Sequence, residues 1–394
     1  MTLLSLNKFA MLLTLPFTLG TLFETNAMAE ETLYLPAKKI FSISYNNIQL
    51  VDADKFDNMA FLYERAIVLD HPSGVWIGGK SVENKRYLIR RFDLTGAKPQ
   101  DFDIATTFKQ EPSYIRSMSS RHLENGNALN ILVTTKDTDG VVRRANYFVD
   151  KANLSILWQG NYDELYGLFV FNNGNVLYDV QEKILYNADK SKEIGKIPDK
   201  LFLQKADGKT QTPVGIPEYT PNFVKLKNHV IFDLSDYVQI VDETGQVKNI
   251  PGKMIAGGSP SLSDVATSHG NYFCTMPSNK AKEATKHDGK RTTVTRPRSL
   301  NMYYYDEAAG KIYNLGDTSA IAPYIKISEG ENDIDETRYQ GDVAVVTETG
   351  DYYEVQWDKV GINVYHSVAN QSVLKKRMEQ AISDDKNFVH LQKK

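Results

Sequence analysis

The chain has 394 residues, 41% of them hydrophobic and 11% aromatic, with a formal net charge of −3. That length can bury a large core without metal or disulfide staples. The near-neutral charge gives no global bias toward nucleic acid, and a single cysteine, Cys274, excludes an internal disulfide.

The first predicted element is not part of the fold. "MTLLSLNKFAMLLTLPFTLGTLFETNAMAEE" has one early lysine, an apolar stretch from about Phe9 to Phe23, then "AMA" at 27–29 and two acids. This is the layout of a secretory signal peptide, with cleavage expected after Ala29. The apolar run is short for a membrane span and is broken by Pro16 and Gly20. No cysteine lies near the cleavage site to carry a lipid. The expected location is the bacterial periplasm, with free secretion as the alternative.

From residue 64 the chain repeats itself. Strand-like pairs occur in "RAIVLDHPSGVWIGG" (65–79), "NALNILVTTKDTDGVVRRANYFV", "GLFVFNNGNVLYDV" (167–180), "VKLKNHVIFDL" (224–234), "DVATSHGNYFCTM" (264–276) and "DVAVVTETGDYYEVQW" (342–357). Each precedes a second phrase: "YLIRRFDLTGAKP" (87–99), "ANYFVDKANLSILW" (145–158), "KILYNADKSKEIGKI" (183–197), "YVQIVDETGQVKNI" (237–250), "NMYYYDEAAGKIYNLGD" (301–317) and the looser "INVYHSVANQSV" (362–373). In the first five an acid ends the apolar run: Asp93, Asp150, Asp189, Asp242 and Asp306. Asp can accept backbone bonds at a turn start, and Gly takes the positive φ a tight turn needs, so each phrase predicts an antiparallel hairpin.

Unit starts near 64, 114, 167, 224, 264 and 342 are spaced by 50, 53, 57, 40 and 78 residues. Four strands per unit at such a period predict an all-β fold, a β-propeller. Six blades are expected, with seven if 33–55 or "LFLQKADGKTQTPVG" (201–215) builds part of another. The sixth unit supplies three strands, so the N-terminal "KIFSISYNNIQLVD" (39–52) is expected to close the ring as its fourth. "QSVLKKRMEQAISDD" then predicts a C-terminal helix with Leu374, Met378, Ala381 and Ile382 on one face. The expected division is 1–29 signal peptide, 30–370 propeller, and 371–394 helix and tail.

The chain resembles secreted bacterial β-propellers in general. "VDKANLSILWQG" is similar to the repeat of pyrroloquinoline-quinone-type propellers, in which an Asp precedes a Trp by eight positions, as Asp150 precedes Trp158. Asn153 and Leu154 replace that repeat's Thr-Gly, and the other units lack the Trp. The resemblance covers one unit of six and implies the fold, not a quinone cofactor.

No linear catalytic motif is present: no GxSxG, no HExxH and no phosphate-binding glycine loop. The seven histidines are scattered, so no metal is expected. Cys274, inside "NYFCTMP", reads as a small buried hydrophobe. The acidic "SEGENDIDETRYQGD" (328–342) has oxygen ligands for Ca²⁺ but not the spacing of an EF-hand, so a solvated loop is preferred and no cofactor is expected. The basic "MPSNKAKEATKHDGKRTTVTRPRS" (276–299) reads as an exposed hairpin loop.

The best place for a ligand is the set of connections between units, where propellers as a family bind ligands. They read "KQEPSYIRSMSSRH", "GNYDELYG", "GIPEYTPNF", "AGGSPSLSD" and "DETRYQGD", and supply Tyr114, Arg116, Tyr162, Tyr166, Glu218, Tyr219, Ser261, Arg338 and Tyr339. Aromatics with a few charges suit a protein, peptide or envelope component; nothing favours nucleic acid. The alternative is an enzyme, acting on sugars or peptides or an oxidoreductase, with a site assembled from several blades.

Overall fold

A computed structural model describes residues 32–51 and most of 67–384. Outside the described residues lie 1–31, 52–66, 385–394 and several connections, the longest being 121–127, 215–222 and 252–266. The signal-peptide reading therefore falls outside them, as does Asp189.

The protein is all-β, with the β-propeller architecture. Six antiparallel sheets follow one another along the chain. Sheet 1 holds Ile67–Asp70, Gly74–Ser81, Tyr87–Asp93 and Gln100–Asp103, with Leu50–Val51 added beside Gly74–Ser81. Sheet 2 holds Ile115–Ser120, Ala128–Lys136, Val142–Asp150 and Ile156–Asn161. Sheet 3 holds Leu165–Val170, Val176–Val180, Lys200–Gln204 and Gln211–Val214; sheet 4 holds Phe223–Lys225, His229–Asp233, Tyr237–Asp242 and Val247–Pro251. Sheet 5 has Tyr272–Pro277, Leu300–Asp306 and Lys311–Asp317. Sheet 6 has Thr337–Val346, Tyr352–Asp358 and Gly361–Ser367, and Lys38–Ser44 pairs antiparallel with the last of these, Lys39 opposite Tyr365.

The core lies between the sheets. Alternate residues of a strand point to opposite faces, and here both faces are covered, so strands such as "HVIFD" are apolar without alternation. In that strand Ile231 faces sheet 5 while Val230 and Phe232 face sheet 3. Each apolar cluster joins two sheets: Trp76 and Ile89 meet Ile131 and Tyr147, Phe148 and Trp158 meet Val176 and Tyr178, and Leu177 and Leu203 meet Val230 and Phe232. Ile231 and Ile240 meet Phe273 and Tyr303, and Met302 and Leu315 meet Val346 and Tyr352. The sixth cluster returns to the start, joining Val355 and Val364 of sheet 6 to Ile77 and Leu88 of sheet 1.

Trp158, the residue behind the quinone-repeat resemblance, packs between sheets 2 and 3. Its ring tilts against Phe148 at 5.8 Å and Tyr178 at 5.7 Å. It has that room because Gly160 and Gly167 carry no side chain; a Cβ at Gly167 would sit 2.8 Å from Trp158 Cζ3. Cys274 is fully buried, as expected, and burial pushes its thiol pKa up to about 12.

Four expectations are corrected. The phrase at 183–197 does not close a blade. Lys183–Tyr186 and Glu193–Ile197 form a separate two-stranded hairpin, and 201–215 supplies the third and fourth strands of sheet 3. The turn there starts on Asp207, whose carboxylate accepts from the Lys209 and Thr210 amides, so it does the work ascribed to Asp189. The fifth unit's first strand, Thr267–Ser268, leaves its own sheet and pairs parallel with Val345 and Val346 of sheet 6. The basic and acidic segments are not separate loops. Ala284–Asp288, Arg291–Arg298, Ile321–Glu329 and Asn332–Ile334 form one four-stranded antiparallel sheet, with Arg291 opposite Glu329. Finally, the helix Gln371–Ser383 buries Val373, Leu374 and Ala381 against sheets 5 and 6, but Ile382 is 50% exposed.

Candidate functional site

The strands end on two different faces. On one lie the described short turns that join first to second strands, as at Asn172–Asn175, and third to fourth strands, as at Asp242–Gln246. The predicted turn acids act there: Asp93 accepts from Thr95 N, Asp150 from Ala152 N, Asp242 from Thr244 N and Gln246 N, and Asp306 from Ala309 N. The Thr210 and Lys209 bonds lower Asp207 to about 2, and the Thr95 bonds hold Asp93 below its usual value. The predicted Asn173-Gly174 turn is present, with Gly174 at φ 81°.

These turns also bind their neighbours. Asn172 Nδ2 donates to Asn228 Oδ1 at 2.8 Å, joining the first turns of sheets 3 and 4. Asn173 and Asn175 both donate to Glu243 O, and Asn175 Oδ1 accepts from Ala206 N. Lys227 N donates to Gly270 O, and Lys227 Nζ lies 2.6 Å from Glu348 Oε1 on sheet 6. His229 Nδ1 stands 3.3 Å from Glu307 Oε1 of sheet 5, with its ring edge-on to Tyr305. Burial lowers the His229 pKa, opposed by Glu307. His366 and Asp351, 3.1 Å apart, pair within sheet 6, where Asp351 also accepts from Ala369 N. Side chains on this face are spent on holding turns together.

The strand ends that lead into the connections between sheets lie on the opposite face. Of the residues picked from the sequence, Tyr114, Tyr162, Glu218, Tyr219 and Ser261 lie outside the described residues. The other four sit in strands rather than loops, and all four are in the first strand of a sheet. Arg116 is the bulge residue between Ile115 and Ser117 of sheet 2. Tyr166 stands opposite Asp179 in sheet 3, and Arg338 and Tyr339 stand opposite Trp357 and Gln356 in sheet 6. First strands gather toward the middle: Thr267–Ser268 lies against the first strands of both sheet 4 and sheet 6.

Sequence reasoning missed the polar groups beneath these positions. Asp179, Lys225, Gln239, Glu354, Gln356 and Asn363 are all buried. Asp179, Gln239, Gln356 and Asn363 stand in the strand halves nearer the interblade connections, whereas Lys225, Glu354 and the buried Asn130 stand in the halves nearer the turns. In sheet 6 they form a row across the strands. Ser42 is opposite Asn363, Asn363 is opposite Gln356, and Gln356 is opposite Tyr339. Ser42 Oγ donates to Asn363 Oδ1 at 2.8 Å, and Gln356 Nε2 donates to Glu354 Oε1 at 2.6 Å. In sheet 4, Gln239 Nε2 donates to Asn249 Oδ1 at 3.2 Å. Two flagged tyrosines thus stand opposite buried polar residues. A signal was available: "YYEVQW" and "VLYDV" place Glu354, Gln356 and Asp179 within otherwise apolar or aromatic runs.

The inserted four-stranded sheet stands on this same face. Its strands come from two excursions of the chain, one between Pro277 and Leu300 and the other between Asp317 and Thr337, and Ile321–Glu329 runs alongside the first strand of sheet 6. Arg338 and Tyr339 start that strand. Among the described residues no group of three or more His, Cys, Asp or Glu is placed to hold a metal ion.

No family model matches the chain, and no curated protein does. Solved structures do match. A Trypanosoma rangeli sialidase is 12% identical, with 89% of this chain and 61% of that chain covered and a TM-score of 0.37. The soluble aldose sugar dehydrogenase of Escherichia coli is 10% identical, with 85% and 99% covered and a TM-score of 0.34. The β-propeller domain of the Trilobed protease from Pyrococcus furiosus is 7% identical, with 64% and 82% covered and a TM-score of 0.30. The chain spans about three fifths of the length of the sialidase chain. At these scores the likenesses carry no argument about activity.

Proposed function

We propose that the protein is an exported, periplasmic propeller, a six-bladed ring closed by Lys38–Ser44. It binds a protein, peptide or envelope component on its interblade face, around the inserted sheet and the first strand of sheet 6. The observation that carries this reading is the contrast between the faces. The polar side chains of the turns are used up in holding turns, whereas toward the other face Asp179, Gln239, Gln356 and Asn363 are retained in the core. Burying such groups costs stability unless they serve something else. Among the described residues no helix is long and apolar enough to cross a membrane.

A photo-crosslinking residue placed at Arg338, and in a second variant at Thr244 on the turn face, tests this in intact cells. A defined adduct from position 338 that is absent from 244, and is lost when Arg116→Ala is added to the position-338 variant, is the expected result. Equal labelling from both positions refutes the face assignment.

A second reading is an enzyme with a site assembled from several sheets. It is favoured by the buried carboxylates of Asp179 and Glu354, which come from separate sheets. Turnover of a sugar or peptide substrate that disappears in Glu354→Gln, with the fold intact, would favour it over pure binding.

A further inference from the structure

Among the described residues, Asn173–Gly174 is the only Asn-Gly step, and it lies on the turn that ties sheet 3 to sheet 4. Gly174 holds φ 81°, and a Cβ there would sit 3.1 Å from Ala206 Cβ, so the turn needs glycine at this position. Asparagine is a thermolabile residue, most of all before glycine, whose amide has no side chain to shield it from the neighbouring carboxamide. In that reaction Gly174 N forms a bond to Asn173 Cγ, the Cγ–Nδ2 bond breaks, and ammonia leaves with the proton of the Gly174 amide. Water then opens the cyclic imide at either carbonyl, which leaves aspartate or isoaspartate at position 173.

Hydrogen bonds stand against this reaction in the folded protein. Gly174 N, the attacking atom, donates to Phe171 O at 2.9 Å. Asn173 Oδ1 accepts from Asn175 N at 2.9 Å, and Nδ2, the leaving group, donates at 3.1 Å to Glu243 O in the Asp242–Gln246 turn of sheet 4. Both ends of the carboxamide are held, so turning its carbon toward Gly174 N breaks at least one of these bonds. Glu243 O also accepts from Asn175 Nδ2 at 2.9 Å, and Asn175 Oδ1 accepts from Ala206 N at 3.0 Å, so the clamp spans the contact between the two sheets. Asn173 is itself exposed, and water reaches it as soon as the clamp opens.

We propose that Asn173 is a spontaneous deamidation site held closed by the contact between sheets 3 and 4, and that its conversion is a one-way latch. Opening of the contact frees Gly174 N and the carboxamide together. Once converted, residue 173 has lost its donor and presents an acceptor where Glu243 O requires a donor. Isoaspartate also lengthens the turn by one backbone carbon. The two sheets then reclose less tightly, so an opening event that ends in conversion is not undone. This modification site is independent of the ligand face.

The test incubates the folded protein in mildly alkaline buffer and follows the peptide containing residue 173 by mass spectrometry, with isoaspartyl methyl transfer as a second readout. A reaction that needs local opening tracks the population of the open form. The native protein is expected to convert on the order of tenfold more slowly than the guanidinium-unfolded chain. Asn175→Leu removes the two side-chain bonds beside the site and is expected to convert several-fold faster than the parent, with its urea midpoint showing that it remains folded. Should that variant not fold, the native protein in urea below its midpoint takes its place, and the same acceleration is expected. Asn173→Asp is expected to lower the urea midpoint. Absence of conversion even in the unfolded chain removes the modification site. Equal rates in the folded and unfolded chains, or no acceleration once the clamp is loosened, overturn the clamp, and an Asn173→Asp protein as stable as the parent overturns the latch.

Discussion

The two faces of the propeller use polar residues in different ways. On the turn face, Asn172, Asn173, Asn175, Asp207 and Asp242 each satisfy a turn or a neighbouring turn, near the solvent. Toward the interblade face, Gln356, Gln239, Asn363 and Asp179 are drawn into the sheet interior. The first arrangement is what a tightly turned scaffold needs. The second is what a scaffold tolerates when a surface has another task. Polar residues therefore say little about function until their burial and partners are known.

The sharpest way to break this comparison is at the seam where the N-terminal segment packs against sheets 5 and 6. Tyr34→Ala removes a fully buried aromatic beside the Thr347–Asp351 turn and should cost about 3–5 kcal/mol in urea unfolding. A loss under about 1 kcal/mol would mean that the segment is not seated as described. Tyr34→Phe, which removes the hydroxyl's bond to Gly350 O and its contacts with Met302 Sδ and Cys274, should cost about 1 kcal/mol.

The next prediction reverses sign between the faces. Glu354→Leu/Gln356→Leu replaces a buried carboxylate–amide pair by apolar groups. It should leave stability unchanged or raise it by about 1–4 kcal/mol, while removing crosslinking from position 338. Asn175→Leu on the turn face deletes two bonds to backbone groups and should destabilise by about 1–2 kcal/mol without touching crosslinking. If both substitutions destabilise and neither affects crosslinking, the two faces do not differ in kind.

Two pH effects are smaller. Asp207 has a folded pKa of about 2, below its ordinary value, so its bonds to Thr210 and Lys209 stabilise the fold above that ordinary value. Their contribution is lost as pH falls through about 2, and Asp207→Asn should flatten that acid limb in a pH-stepped melting series. The His229 pKa is lowered by burial, so the neutral ring is favoured in the folded state. Stability from this group is full above its unfolded value of 6.5 and declines as pH falls below it. His229→Gln should remove that decline, and an unchanged slope would place the effect elsewhere.

How much of this could be read in advance follows from the range of the interactions. The Asp-led hairpins at 93, 150, 242 and 306 and the Asn173-Gly174 turn are local, and a few neighbouring residues decide them. The same local logic misjudged 183–197, because an acid after an apolar run is shared by a blade hairpin and an inserted one. Which of the two pairs with Val176–Val180 depends on the apolar face that Leu201 and Leu203 offer to sheet 4. The candidate site was legible in part. Tyr166, Arg338 and Tyr339 were picked from their composition, but their places on first strands, opposite Asp179, Trp357 and Gln356, come from register.

By itself the sequence determined the all-β class, the four-strand rhythm, the turn acids, the burial of Cys274 and the helix after residue 370, because each depends on side-chain alternation or turn geometry within a dozen residues. Only the tertiary structure decided that Lys38–Ser44 pairs with Gly361–Ser367, that Thr267–Ser268 crosses to sheet 6, and that the basic and acidic segments become one sheet. Those pairings join segments up to about 330 residues apart. No local pattern encodes them, since backbone hydrogen bonds are blind to sequence and the choice of partner is left to which apolar faces meet across the core.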